Sequence, residues 1–189
     1  MSRVLVPLAE GFEEIEAVTV IDLLRRAGIE VVTAGLGPGP VTGSHGIAVT
    51  PDTDLDAALG QSFDMVALPG GMPGAANLAA DTRLVALLRQ MAASGRITAA
   101  ICAAPGVLAK AGLLAGKRAT SYPGFLGAEN APGASLSEDP VVEDGQVITS
   151  RGPGTAMDFA LTLIERLEGA TARRTIEAGL QRPGARAAG

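Results

Sequence analysis

Apolar residues in this chain fall into short unbroken runs, set between longer stretches where they recur every third or fourth position. The first run, Arg3 to Leu8, predicts a strand. Glu13 to Ala27 then carries helical spacing and ends at Gly28, a residue suited to the left-handed turn after a helix. Ile29 to Leu36 predicts a second strand. Strand, helix, strand from the first residues onward predicts a parallel sheet with right-handed crossovers.

Gly35 to Gly46 is rich in Gly and Pro, so it reads as a loop or an irregular hairpin, with Ile47 to Thr50 as a short strand after it. Met65 to Leu68 is another strand, ending at Pro69-Gly70-Gly71. Thr82 to Ser94 is an amphipathic helix with Leu84, Leu87, Leu88 and Met91 on one stripe and Gly95 as its stop. Ile97 to Ile101 reads as a buried strand running straight into a helix from Ala103 to Leu114. Val141-Val142, Asp144-Gly145 and Val147-Ile148 form a hairpin signature. Phe159, Ala160, Leu163, Ile164 and Leu167 mark a last helix. The chain reads as one domain over residues 1–180. Residues 181–189 form a Pro/Gly/Ala-rich tail that is expected to fray.

Composition sharpens this. The 189 residues suit one hydrophobic core, and with aromatics at 3% that core is built from Leu, Val, Ile and Ala. A net charge of −5 with no basic stripe leaves no patch for nucleic acid. No apolar run is long enough to span a bilayer. The first residues read as a strand rather than a signal peptide, so a cytoplasmic location is the default expectation. One cysteine and one histidine exclude a disulfide framework and the common multi-Cys and multi-His metal sites.

Cys102 stands where ITAAI gives way to a helix. Such a turn puts a nucleophile at the carboxyl edge of the sheet, and it needs small neighbours, here Ala100 and Ala104. Amides at the helix start favour thiolate and offer an oxyanion site. The plain alternative is a small buried hydrophobe. Glu16 lies on the apolar stripe of Val20, Leu23 and Ala27. Burial there would raise its pKa and let a neutral carboxyl donate to a thiolate or shuttle a proton; the alternative is a carboxylate that complements the helix dipole. For Glu13 and Glu14 the dipole role is the better reading. Asp22 reads as a partner of Arg25 or Arg26. The helix is apolar nearly all round, so its second side is open to another subunit. Gly71 either brings its N–H to a reacting oxygen or serves a plain turn. Arg151 to Thr155 either holds an anion or caps the last helix through Thr155. His45, in GSHG, reads as a solvated loop residue.

AEGFEEIEAV at 9–18, LPGG at 68–71, AAICAAP at 99–105 and SRGPGT at 150–155 occur in an order and spacing that resembles the ThiJ/PfpI superfamily. The likeness extends from Val4 to about Glu168 and is to the branch of the Parkinson's-associated deglycase and the bacterial chaperone YajL. It implies a flavodoxin-like three-layer α/β sandwich, a mostly parallel sheet with helices on both faces, and a homodimer. It also implies that Cys102 is the reactive thiol and Glu16 the protonated acid beside it, with the amides of Gly71 and Ala103 facing the reacting oxygen. Gly70, Tyr122, Pro123, Asp22 and His45 fall in the surrounding shell. Tyr122-Pro123 replaces a His-Pro pair of the eukaryotic deglycase, so histidine assistance is missing unless His45 arrives from a partner subunit. Asp22 matches an acid that approaches the site across the dimer. The implied activity is cofactor-independent removal of 2-oxoaldehydes or of their adducts with proteins and nucleotides, with no metal. The alternative is a redox-sensing stress protein or chaperone with negligible turnover. A cysteine peptidase is disfavoured, because Ala103 stands where such members place histidine.

Overall fold

A computed structural model describes residues 1–183. The chain begins with β1 (Arg3–Leu8), α1 (Glu14–Arg26) and β2 (Glu30–Gly35). Next come β3 (Val41–Thr42), β4 (Ala48–Val49), β5 (Thr53–Asp54) and α2 (Leu55–Leu59). β6 (Met65–Leu68), α3 (Gly74–Ala80), α4 (Thr82–Ala93), β7 (Ile97–Ile101) and α5 (Pro105–Lys110) build the middle. β8 (Arg118–Ala119), β9 (Ser135–Leu136), β10 (Val141–Asp144), β11 (Val147–Ser150) and α6 (Ala156–Gly179) complete it.

Seven strands form one sheet in the order β10-β11-β7-β6-β1-β2-β5. All neighbours run parallel except β10 and β11, which form the hairpin that the Asp144-Gly145 turn predicts. β1 illustrates how a parallel strand feeds two cores. Val4, Val6 and Leu8 join the layer under α1 and α6, and Leu5 joins the layer under α3, α4 and α5. Both faces are thereby covered, which is the flavodoxin-like sandwich the sequence implies. β1 pairs with β2 on one side and β6 on the other, so successive crossovers leave in opposite directions there. In such sheets the crevice at that switch, at the carboxyl ends of the strands, is where ligands bind.

Several boundaries differ from the sequence reading for physical reasons. The helix expected from Ala103 to Leu114 is α5, Pro105–Lys110. Cys102 lies at φ 65°, which no helix accommodates, and Pro105 supplies the N1 position where a missing N–H costs nothing. α6 runs past Leu167, but Gly169 at φ 87° breaks it into two segments. α2 and α3 carry too few turns for a period to show. The expectation of a fraying tail falls outside the described residues from 184 onward. α1 buries Glu14, Glu16, Ala17, Val20, Leu23 and Leu24 but leaves Ile15 and Val18 exposed, so its second side is not covered within the chain. No helix among the described residues is long and apolar enough to cross a membrane.

Phe159 is fully buried where α6 meets the sheet, whereas Met157 is exposed. Chemical denaturation of Phe159→Ala should show a loss of about 3–5 kcal/mol. Met157→Ala should stay within about 0.5 kcal/mol of the parent.

Candidate active site

Three strand ends supply the site. After β1 the chain turns through Gly11 into α1, which presents Glu16. After β6 comes Pro69-Gly70-Gly71, and after β7 comes Cys102. Cys102 is one of only two described non-glycine residues at positive φ. A side chain held in that region is strained and must be fixed by its surroundings. Here its own N–H donates to the Ser150 carbonyl at 2.9 Å and its carbonyl accepts from the Tyr122 N–H at 2.9 Å. The sharp bend predicted from Ala100 and Ala104 is present, and the thiol sits at the floor of a cleft, 9% exposed.

Glu16 is fully buried. The Gly70 N–H donates to its Oε2 at 2.8 Å. Oε1 has no hydrogen-bond partner among the described residues. A bare buried carboxylate oxygen is costly, which favours the protonated carboxyl, and the Cys102 thiol lies beside this carboxyl. Burial pushes the Glu16 carboxyl up to about 7, against the pull of the Gly70 amide and the thiol. Burial, and then the charge of Glu16 itself, push the Cys102 thiol up to about 12, opposed by the amides of Gly71 and Ala103. The amides of Gly71 and Ala103 therefore bond the sulfur, but they do not depress the thiol. That corrects the sequence reading: desolvation and a like charge outweigh two amides. Above about pH 7 the pair carries one negative charge, resting on Glu16, and passing the thiol proton to that carboxylate would move it to sulfur.

Gly70 and Gly71 are required by contact. A Cβ on Gly70 would lie 2.7 Å from Cys102 Cβ and 2.8 Å from Glu16 Oε2. Gly71, at φ 85°, would place one 2.3 Å from the Glu13 nitrogen.

The cleft above the sulfur has a volume of about 440 Å³, within the range of small-molecule sites. Glu13, His45, Gly71, Ala103 and Tyr122 line it, together with Ile15, Met72, Phe125 and Pro153. Tyr122 is 47% exposed and meets Phe125 edge-to-face at 6.0 Å. His45 thus reaches the cleft of its own chain, so no partner subunit is needed to bring it there. It has no hydrogen bond to Cys102; its Nδ1 lies 2.9 Å from Glu14 Oε2. The hydrogen bond to Glu14, and then the charge of Glu13, raise its pKa. Pro123 lies in an adjoining cavity, behind Tyr122. Asp22 does not line the cleft; it pairs with Arg26 at 2.6 Å.

Glu14 departs most from expectation. It is buried, and Oε1 accepts from the N–H groups of His45 at 2.7 Å and Ile47 at 3.3 Å. Burial alone would raise its pKa, but His45 and these amides hold it down to about 2. It clamps the 44–47 loop onto α1 rather than serving the helix dipole. Nothing local in the sequence signals a partner 31 positions away. Glu13, Glu14 and His45 also offer ligand atoms within 4.8 Å of one another, the one such grouping among the described residues. Both Glu14 oxygens are already engaged by the loop, which suits a clamp better than a metal.

Glu16 gives a linkage with a definite sign. Between about pH 4.5 and 7 the folded state holds a proton there that the unfolded state has lost, so stability falls as pH rises through that window. Glu16→Gln should therefore unfold at higher temperature than the parent at pH 8, by up to about 3 kcal/mol of stability. The gain should vanish below about pH 4.5, as read from thermal melts across the range.

The protein-family comparison matches residues 2–166 to the DJ-1/PfpI family. The chain is 45% identical to Drosophila melanogaster dj-1beta over 93% of its own length and 95% of the relative's. The crystal structure of that protein superposes with a TM-score of 0.92, covering 97% of this chain and all of that one. A Toxoplasma gondii DJ-1 solved in an oxidized form gives 0.90 at 42% identity, covering 95% and 98% of the two chains. A glutathione-independent glyoxalase of Caenorhabditis elegans, DJR-1.2, is 39% identical over 85% of each chain. The family match spans most of the sequence, and these relatives align over nearly all of it, so this chain belongs to the DJ-1/PfpI family.

Proposed function

We propose that this protein is a cofactor-independent glyoxalase that converts 2-oxoaldehydes to 2-hydroxy acids through Cys102, and that it also acts on the adducts these aldehydes form with proteins and nucleotides. The observation that carries the reading is a fully buried Glu16 carboxyl next to the Cys102 thiol, with the Gly71 and Ala103 amides at the sulfur, at the floor of a cleft of about 440 Å³. The glyoxalase relative supports the reaction class.

In the first step Glu16 takes the thiol proton as the sulfur attacks the aldehyde carbon. The new alkoxide faces the Gly71 and Ala103 amides and receives a proton to give a hemithioacetal. Glu16, again a carboxylate, removes the hydrogen from C1 and delivers it to C2 through an enediol. The product is a thioester of the 2-hydroxy acid. Water cleaves it, returning the thiol and releasing the acid, so the net change is addition of one water. Ala103 after the nucleophile, and a His45 committed to Glu14, count against a peptidase dyad.

A second use of the same thiol is supported by its surroundings and by the oxidized relative. A sulfinate on Cys102 would accept from the two amides and from a protonated Glu16. Both uses are compatible with a homodimer, for which the exposed Ile15 and Val18 on α1 offer an apolar face.

Cys102→Ala should abolish loss of methylglyoxal, and Glu16→Gln should lower kcat by about 10²- to 10⁴-fold. The pH profile of the parent should rise through about 7 as the pair gains its charge. Unchanged turnover in Cys102→Ala would reject the proposal.

A further inference from the structure

Behind Tyr122 a second cavity of about 330 Å³ opens, and its lining differs in kind from the Cys102 cleft. Thr120, Ser121, Ser137, Glu138 and Arg151 contribute polar side chains to it, and Tyr122 is a wall common to both spaces.

Two of these groups lack what they need. Thr120 is 1% exposed, and its Oγ1 is buried with no hydrogen-bond partner among the described residues. A buried hydroxyl carries a proton that requires an acceptor, and leaving it unmet is costly. The Thr120 N–H is already satisfied by Thr149 Oγ1 at 2.9 Å, so the deficit lies on the side chain alone. Arg151 is half-buried, and only its backbone N–H is bonded, to the Pro140 carbonyl. Its guanidinium makes no hydrogen bond or ion pair among the described residues. The other half-buried arginines among the described residues, such as Arg3, Arg83 and Arg173, all bond a carboxylate through their guanidinium groups. An unpaired guanidinium in the wall of a polar cavity offers a planar pair of donors to an acceptor from outside. Glu138 is the one acidic group in the lining, but it is exposed on the rim, where solvent screens it.

We infer that this cavity is a subsite for an anionic oxyacid group, a carboxylate or a phosphate, carried by the substrate beyond its reacting carbonyl. Arg151 takes two oxygens of the anion in its planar fork. Tyr122 separates the subsite from the sulfur, so it sets the length of chain that joins anion to aldehyde. Methylglyoxal has no such group and leaves the subsite empty. The inference rests on the reaction proposed above for its substrate, but the binding of the anion can be tested without it.

Titration with inorganic phosphate, followed by calorimetry, should show saturable binding to the parent protein. Arg151→Ala should lose it, and Arg151→Lys should keep part of it. Absence of saturable binding to the parent, or equal binding to Arg151→Ala, overturns the subsite whatever the enzyme does with methylglyoxal. In turnover, 4,5-dioxopentanoate and the phosphate ester of hydroxypyruvaldehyde distinguish the two anion classes. Arg151→Ala should raise KM for whichever is preferred by roughly ten- to a hundredfold, the worth of a lost charged hydrogen bond. kcat/KM for methylglyoxal should not change. An equal fall for methylglyoxal and the anionic substrates would mean that Arg151 acts on the fold or the thiol, and would overturn the inference.

Discussion

A carboxyl and a thiol buried side by side can keep one negative charge between them, not two. Glu16 is fully enclosed and Cys102 nearly so; burial raises the cost of ionising both, the charge of Glu16 raises it further for the thiol, and the thiol's hydrogen bond eases it for Glu16. The charge they share has its hydrogen bonds prepared on both ends. The Gly70 amide waits for it on oxygen, and the Gly71 and Ala103 amides wait for it on sulfur. A proton moving between the two groups thus carries the charge from one prepared site to the other without any rearrangement of backbone. That is the property a nucleophile with its own base requires, and it explains how a thiol that is hard to ionise by itself can still be reactive.

The rest of the fold keeps that pair together. Two strand ends, after β6 and β7, bring the amides and the sulfur to one edge, and α1 returns from β1 to present the acid. Room for the pair comes from Gly70, where any side chain would overlap both partners. Cys102 is held at an unfavourable φ by backbone bonds to Ser150 and Tyr122, so elements far apart in sequence carry the strain of one residue. Glu14 fixes the mouth of the cleft by clamping the 44–47 loop, and that places His45 on the rim.

Much of this was legible in the sequence because it is local. β1, β6 and β7 are continuous apolar runs between punctuating residues, and their limits match the structure residue for residue. The bend at Cys102 was visible in its small neighbours, and Glu16 stood out as a charge on an apolar stripe. The pieces that were missed are those whose partners lie far along the chain. The Glu14 clamp, the approach of His45 to its own chain's cleft, and the unmet groups of Thr120 and Arg151 depend on loops that have no period. The direction of the thiol's shift was misread for a related reason. The helix-start amides can be seen in a strand-helix junction, whereas the depth of burial and the closeness of a second acid cannot.

The pH dependence of Cys102 alkylation by iodoacetamide, in the parent and in Glu16→Gln, tests the shared charge most directly. The account predicts a rate in the parent that climbs through about pH 7, where the pair gains its charge. In Glu16→Gln, with the internal base removed, the rise should move up to the range of an ordinary thiol or above. A parent protein whose alkylation follows an ordinary thiol near pH 8.5, with the same curve in Glu16→Gln, would contradict it.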